Sequence, residues 1–113
     1  MMPLLSSGEY CLRLTETFQR FYYSAEPVLT GTETREYPLL KDTEIFTSCG
    51  FLAVSSVIFA DGHIIGAQLD YFDDNGQTQS VSITPDASAT VRLTEGEGSV
   101  YRTADCLFEI VRM

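Results

Sequence analysis

The sequence predicts an all-β fold, either an antiparallel sandwich or a small barrel of about seven to nine short strands. Glycine and proline interrupt the 113-residue chain at short intervals, and the segments between them are rich in Val, Ile, Thr, Phe and Tyr. Apolar and polar residues alternate in several of these segments, whereas no segment after residue 25 has a clear helical period. The chain length and the 44% of apolar residues predict a single domain, 1–113, with one packed core.

A central meander of three strands, 51–60, 63–72 and 77–84, is predicted from two turn signals. The first signal is Asp61-Gly62, which is typical of a two-residue type I′ hairpin loop. With this loop, five cross-strand pairs share one mostly apolar face, which is predicted to lie against the core. These pairs are Leu52 with Tyr71, Val54 with Leu69, Ser56 with Ala67, Ile58 with Ile65, and Ala60 with His63.

The second signal, Asp-Asn-Gly at 74–76, determines how the third strand pairs with the second. Loops of two or four residues would place Val81 on the polar face of the hairpin. A three-residue loop with its glycine in the left-handed conformation places Val81 opposite Leu69, so that the apolar faces agree. Pro85 is expected to end the third strand, because proline has no N–H to donate to a sheet.

Further strands are predicted on both sides of the meander. Their ranges are roughly 33–40, 44–48, 89–94, 99–103 and 106–112, with a turn at 95–98. The N-terminal segment 9–24 is predicted as a strand or a single helix. Alternation of Tyr10, Leu12 and Leu14 fits a strand, and the Thr, Phe and Tyr content favours it. A wider apolar set fits one face of a helix: Cys11, Leu14, Phe18, Phe21, Tyr22 and Ala25.

The charge of the chain is strongly negative. Sixteen acidic residues face seven basic ones, for a formal net charge of −9, and Lys41 is the only lysine. This argues against direct binding of nucleic acid or of an anionic membrane, which attract clustered Lys and Arg. It is compatible with a basic protein partner, and equally with solubility alone. Negative charge is densest from Asp70 to Glu97, where six acidic residues accompany one base, Arg92.

The cysteines and the N-terminus predict a reducing, cytoplasmic location. Cys11, Cys49 and Cys106 are odd in number and lack C-x-x-C spacing, which indicates neither a disulfide framework nor a zinc site. No apolar run approaches the ~20 residues of a membrane-spanning helix. The first ten residues lack the basic region and the longer apolar run of a signal peptide.

No catalytic residue, metal site or cofactor is predicted. The only histidine, His63, lies beside a turn, and nothing in the sequence gathers other ligands around it. The acids that follow Asp70 do not have the spacing of an EF-hand loop. Cys49, His63 and an acid such as Asp61 are the residue types of a nucleophilic site. However, Cys49 and His63 lie at opposite ends of the predicted hairpin, and a ten-residue strand spans about 30 Å.

Two surfaces are predicted to bind a protein partner. The first is the aromatic run F-Q-R-F-Y-Y, which as a strand would present aromatic side chains at an interface, where Tyr is enriched. Its candidate residues are Phe18, Arg20, Tyr22 and Tyr23. The second surface is acidic, and its candidate residues are Asp70, Asp73, Asp74, Glu95 and Glu97.

We expect a non-enzymatic protein–protein interaction module, such as an acidic inhibitor or accessory subunit. Its partner is expected to present a basic surface, for example that of a nucleic-acid-binding protein. The alternative is a small-molecule-binding β-barrel protein or enzyme with an interior site. Homo-oligomer formation is a further expectation, because it is one way to protect a free sheet edge.

Overall fold

The structure is a computed structural model that describes residues 10–113. Residues 1–9, which include the start of the predicted segment 9–24 and most of the N-terminus considered as a signal peptide, lie outside this range. The described chain forms eight strands: β1 (Tyr10–Tyr22), β2 (Leu29–Pro38), β3 (Glu44–Thr47), β4 (Gly50–Ala60), β5 (His63–Phe72), β6 (Thr78–Ile83), β7 (Ala89–Glu97) and β8 (Val100–Arg112).

The strands form two antiparallel sheets of four strands each. We call β2-β1-β8-β7 the long sheet and β3-β4-β5-β6 the short sheet. The predicted all-β fold is confirmed, and of its two predicted forms the chain adopts the sandwich, since the sheets are separate and neither closes on itself.

The N-terminal segment is a strand, so the helix alternative is wrong. The whole of β1 pairs with β8, from Tyr10–Arg112 to Tyr22–Val100, and its other edge pairs with β2. Pairing on both edges satisfies the backbone donors and acceptors of β1. Its Thr, Phe and Tyr side chains fit the pleated surface better than they fit a helix.

The predicted meander is confirmed as β4, β5 and β6. Asp61 and Gly62 have φ angles of 52° and 78°, and positive values at both positions are what a type I′ turn requires. The three-residue loop also forms, with Gly76 at φ 76° donating its N–H to the carbonyl of Asp73 at 2.9 Å. As predicted, Val81 pairs with Leu69 and Ile83 with Ala67.

Two compensating β-bulges correct the predicted register in the middle of β4 and β5. Ser55 on β4 and Ile65 on β5 are left without partners, so between them Ile58 pairs with Gly66 instead of Ile65. A one-residue shift turns side chains to the other face. Ile58 and Ile65, predicted in the core, are therefore 47% and 48% exposed, whereas Ile64 is buried.

The C-terminal hairpin has longer strands than predicted. The expected turn at 95–98 is wrong: β7 continues to Glu97, and the turn is Gly98-Ser99. The two strands predicted at 99–103 and 106–112 are one strand, β8. It runs unbroken because Asp105 points away from the core, where it binds Arg92 through two hydrogen bonds of 2.6 and 2.9 Å.

The core lies between the two sheets and is formed by the alternate residues that face inward. Each large apolar side chain that is fully buried contributes roughly 1.5–3 kcal/mol to folding. The largest of these side chains are Phe108, Leu12, Leu14, Leu39, Ile45, Leu52, Leu69 and Ile83. They belong to one continuous cluster, so the space between the sheets is filled by side chains.

Candidate functional site

The long sheet extends beyond the short sheet at one end of the molecule. On the inner face of β1, Leu12, Leu14 and Glu16 are buried, whereas Arg20 and Tyr22, farther along the same face, are exposed. Both β1 and β8 have thirteen residues, and the molecule is 59 Å long but only 19 Å thick. The end of the long sheet therefore presents an inner face that no strand of the short sheet covers.

We call this uncovered inner face the platform. The strand register places its residues in two rows across the sheet, since residues that pair directly share a face. The first row is Leu29, Arg20, Arg102 and Glu95, and the second is Tyr22, Val100 and Glu97. Tyr22 is 58% exposed, Leu29 51% and Val100 40%, so the platform is an apolar surface framed by charges.

The platform joins residues that the sequence interpretation assigns to two different surfaces. Arg20 and Tyr22 of the aromatic run lie in the same two rows as Glu95 and Glu97 of the acidic set. Tyr23 adjoins the platform, with its ring edge-on to that of Tyr22 at 4.8 Å between centroids. Strand pairing over long sequence distances brings these residues together, which local patterns in the sequence do not reveal.

The charges on the platform are partly paired. Glu95 accepts a hydrogen bond from Arg102 in an ion pair across the β7–β8 hairpin. Within residues 10–113, Arg20 and Glu97 form no ion pair. Both side chains are exposed, so each is available to a charged group of a partner.

A cleft lies where the short sheet ends beside β7. Its volume is about 460 Å³. The short sheet contributes Cys49, Gly50, Phe51, Phe72, Asp73 and Asp74, and β7 contributes Leu93, Thr94 and Gly96. Because Gly96 lies between Glu95 and Glu97, the cleft is next to the platform, and the two form one stepped surface.

An aromatic row on the outer face of the short sheet was missed by the sequence interpretation. Phe46 pairs with Phe51, and their ring centroids lie 6.0 Å apart. Leu52 pairs with Tyr71, so the next residues along the two strands, Phe51 and Phe72, are neighbours. The three phenylalanines are 61%, 43% and 59% exposed. Their alternation with the buried or half-buried Ile45, Leu52 and Tyr71 is the signal that could have identified them.

The three acids predicted near the β5–β6 turn have different surroundings. Asp73 holds the turn together by accepting hydrogen bonds from the N–H groups of Gln77 and Asn75, both at 2.9 Å, and from the side chain of Gln79. These bonds, that from Gln77 foremost, lower the pKa of the Asp73 carboxyl. Asp74 lines the cleft.

Asp70 lies apart from the stepped surface, whereas Phe18 lies on the inner face of β1 between Glu16 and Arg20, next to the first row of the platform. Asp70 is on the outer face of the short sheet, where the hydroxyl of Ser80 donates to it at 2.7 Å and lowers its pKa. The ring of Phe18 covers Gly31 of β2, where an added Cβ would approach the ring to 2.5 Å. Phe18 therefore packs within the sheet, which leaves it half-buried.

A buried carboxylate, Glu16, links the two sheets behind the platform. It is 2% exposed and accepts hydrogen bonds from the N–H and hydroxyl of Ser48, at 2.9 and 2.7 Å, and from Arg35 at 2.8 Å. Arg35 also donates to the carbonyl of Phe46 at 2.7 Å. Glu16 and Arg35 belong to the long sheet, and Ser48 and Phe46 to the β3 region, so this network fixes the end of the short sheet in place.

The network determines the ionisation of Glu16. Burial by itself would raise the pKa of its carboxyl, but the hydrogen bonds from Ser48 and Arg35 outweigh burial, so the pKa lies below its ordinary value. Glu16 is therefore an ionised structural residue. The sequence interpretation did not identify it, because its burial depends on the packing of two sheets.

The cysteines are buried, and none has the environment of a nucleophile. Burial raises the pKa of the Cys11 and Cys49 thiols and raises that of Cys106 to about 12. Cys49 directly precedes β4, whereas His63 follows the turn at the other end of that strand. The eleven residues of β4 span roughly 35 Å, which separates the two side chains.

We expect all three thiols to react slowly with a disulfide reagent such as DTNB in the native protein at pH 8. Only a small thiolate fraction forms at each site, and the reagent reaches the buried sulfur atoms only when the structure opens locally. The rate in the folded protein should be at least about tenfold below that in urea, with Cys106 slowest. Modification of Cys49 at the rate of a free thiol would instead reveal an accessible nucleophile in the cleft.

Within residues 10–113, no three His, Cys, Asp or Glu side chains are grouped so that they could hold a metal ion. The same residues contain no helix of the length and apolarity needed to cross a membrane.

Comparison with known proteins gives no relative for this chain: it matches no protein-family model, no curated protein and no solved structure.

Proposed function

We propose that the protein is a non-enzymatic interaction module that binds a basic protein partner through the platform and the adjoining cleft. In this role it acts as an inhibitor or accessory subunit that covers a basic surface of the partner. The observation that carries the proposal is the uncovered end of the long sheet. Apolar side chains exposed together on a sheet face are typical of a protein-binding surface.

The distribution of exposed apolar residues supports this location. Thirteen large apolar side chains are exposed within residues 10–113, and eight of them belong to the platform, its border or the aromatic row: Tyr22, Tyr23, Val28, Leu29, Val100, Phe46, Phe51 and Phe72. Aromatic residues at the centre of an interface with charged residues at its rim are the usual arrangement of a binding surface. The net charge of −9 favours a basic partner, which it would attract over a distance.

The alternative, a small-molecule site or an enzyme site inside a barrel, has less support from the geometry. Side chains fill the space between the sheets, and the cleft opens to solvent.

A cytoplasmic location forms part of the proposal, supported by three free cysteines within the described residues. Self-association through the platform is the second role proposed for this surface. Sedimentation equilibrium of the purified protein distinguishes it from binding to a different partner.

The platform is tested by affinity capture from the native host with wild-type protein and with the double variant Tyr22→Ser, Val100→Ser. We expect the captured partner to bind the variant at least about tenfold more weakly, since two exposed apolar contacts are removed. The matched control is Ile58→Ser with Ile65→Ser, which removes two equally exposed side chains from another part of the surface. Equal binding by all three proteins would show that the platform is not the interface.

The electrostatic part of the proposal is tested by Asp74→Asn with Glu97→Gln. These acids are preferred to Asp73, because substitution of Asp73 would also disrupt the β5–β6 turn. We expect weaker binding and a smaller loss of affinity on raising the salt concentration from 50 to 300 mM, roughly the range in which surface charges become screened. An affinity that does not change with salt would contradict a basic partner.

A further inference from the structure

We infer that the cleft receives an arginine side chain presented by the partner protein. This inference rests on the proposed function and names the chemical group that anchors the partner. The cleft combines two features that a guanidinium ion recognises: exposed aromatic rings and carboxylates without a competing cation in the lining.

The aromatic part of the site is the pair Phe51 and Phe72. Both residues line the cleft and both side chains are substantially exposed, so a ligand in the cleft can reach them. A cation placed over the face of such a ring is attracted by its quadrupole. Phe46, at 6.0 Å from Phe51, extends the aromatic surface beyond the cleft, where the aliphatic part of a long side chain can pack.

The electrostatic part of the site is negative and has no internal counter-charge. Asp73 and Asp74 line the cleft, and among residues 10–113 its lining contains no Lys, Arg or His. The short sheet with its connecting loops has the same imbalance, since the 40 residues from Glu44 to Ile83 contain five acids and neither Lys nor Arg. A cation that enters the cleft is therefore attracted by the carboxylates of Asp73 and Asp74.

Asp74 is the residue that we expect to bind the cation directly. The carboxylate of Asp73 already accepts three hydrogen bonds within the β5–β6 turn, whereas none is formed by the Asp74 side chain within the described residues. At the border of the cleft, Glu95 already holds the guanidinium of Arg102, so a carboxylate of this surface does bind that group. The incoming arginine would repeat this contact at Asp74.

The geometry favours arginine over lysine. A planar guanidinium can stack on a phenylalanine ring and donate two hydrogen bonds to one carboxylate, whereas an ammonium ion acts as a point charge and is more strongly hydrated. The cleft, at about 460 Å³, has room for such a side chain together with water.

The inference is tested by NMR titration of the isotope-labelled protein with three probes at constant ionic strength. The probes are the N-acetyl amides of arginine, lysine and citrulline, the last of which has nearly the shape of arginine but no charge. We expect amide shifts at Gly50, Phe72, Asp74 and Gly96, largest with arginine, smaller with lysine and smallest with citrulline. Equal shifts with citrulline, shifts centred elsewhere, or no shifts would each overturn the inference.

Two cleft variants and two controls localise the binding. Phe72→Leu should weaken binding of the arginine probe roughly two- to fivefold by removing the ring, and Asp74→Asn by roughly the same factor. The controls are Phe59→Leu and Asp86→Asn, at the opposite ends of β4 and β6, and they should leave binding unchanged. Equal effects of cleft variants and controls would contradict the assignment. Since no partner takes part and the platform is intact, failure here is distinct from failure of the platform test.

Discussion

Replacement of Glu16 by leucine is expected to lower the free energy of unfolding by about 2–3 kcal/mol and the melting temperature by roughly 10 °C. The substitution leaves the N–H and hydroxyl of Ser48 without their acceptor and removes the counter-charge of Arg35. The loss is below the 3–5 kcal/mol typical of breaking fully buried pairs, because Arg35 is 31% exposed and water can solvate it. Urea and thermal unfolding, followed by circular dichroism, measure the effect.

The matched control for this prediction is Glu36→Leu. Glu36 pairs with Arg13 in the same sheet, but both side chains are exposed, so the substitution should change the free energy of unfolding by no more than about 1 kcal/mol. If the two leucine variants were equally stable, the network around Glu16 would not connect the sheets in the way proposed.

The contribution of Glu16 should also depend on pH. Its pKa is lower in the folded protein than the ordinary value of about 4.3 expected for the unfolded chain. The stability that it supplies is therefore fully present above that value and is lost as the pH falls through the folded pKa. The difference in stability between the wild type and Glu16→Gln should shrink between pH 6 and pH 3. A difference that stays constant would show that the carboxylate is not the stabilising form.

Replacement of Gly96 by alanine is expected to cost about 3 kcal/mol, against about 1 kcal/mol for Gly98→Ala in the same hairpin. Gly96 has φ 113°, and a Cβ there would lie 2.6 Å from the carbonyl oxygen of Val100 and 2.8 Å from the Cα of Tyr101. Gly98 has φ 61°, within the left-handed region, and open space around its Cβ position. Chemical unfolding of the two variants measures the difference.

The Gly96 substitution should also change the candidate site. The neighbours of Gly96, Glu95 and Glu97, pair with Arg102 and Val100 in the two rows of the platform. Because the clash is with backbone atoms, β7 has to move away from β8, and the amide resonances of Glu97 and Val100 should shift more than in Gly98→Ala. Equal stability and equal shifts in the two variants would show that the close approach at Gly96 has no structural consequence.

The candidate site illustrates how much of a function can be predicted from a sequence of this kind. The aromatic run and the acids at 95 and 97 were proposed as separate surfaces, and the structure places Arg20 and Tyr22 in the same two rows as Glu95 and Glu97. Asp73 proved to hold a turn, and Asp70 lies on the opposite face of the short sheet from the core. Residue type indicated candidates, whereas strand pairing determined which of them are neighbours.

The sequence by itself determined the features that depend on local chemistry. An Asp-Gly pair and a glycine at position 76 adopt positive φ with little strain, so the two turns, and through them the strands β4, β5 and β6, followed from short segments. Alternation of apolar residues then identified most of the other strands, because side chains in a strand point to opposite faces in turn.

Only the tertiary structure decided the features that depend on distant residues. The bulges at Ser55 and Ile65, the unbroken length of β8 and the burial of Glu16 each arise from contacts between segments far apart in the chain. The platform exists because the long sheet has two thirteen-residue strands, whereas β4, the longest strand of the short sheet, has eleven residues. β4 begins two residues after Ser48, which donates a hydrogen bond to Glu16, so the short sheet stops near Glu16. Which residues a sheet leaves uncovered is set by how two sheets are aligned, and that alignment is a property of the whole packed core.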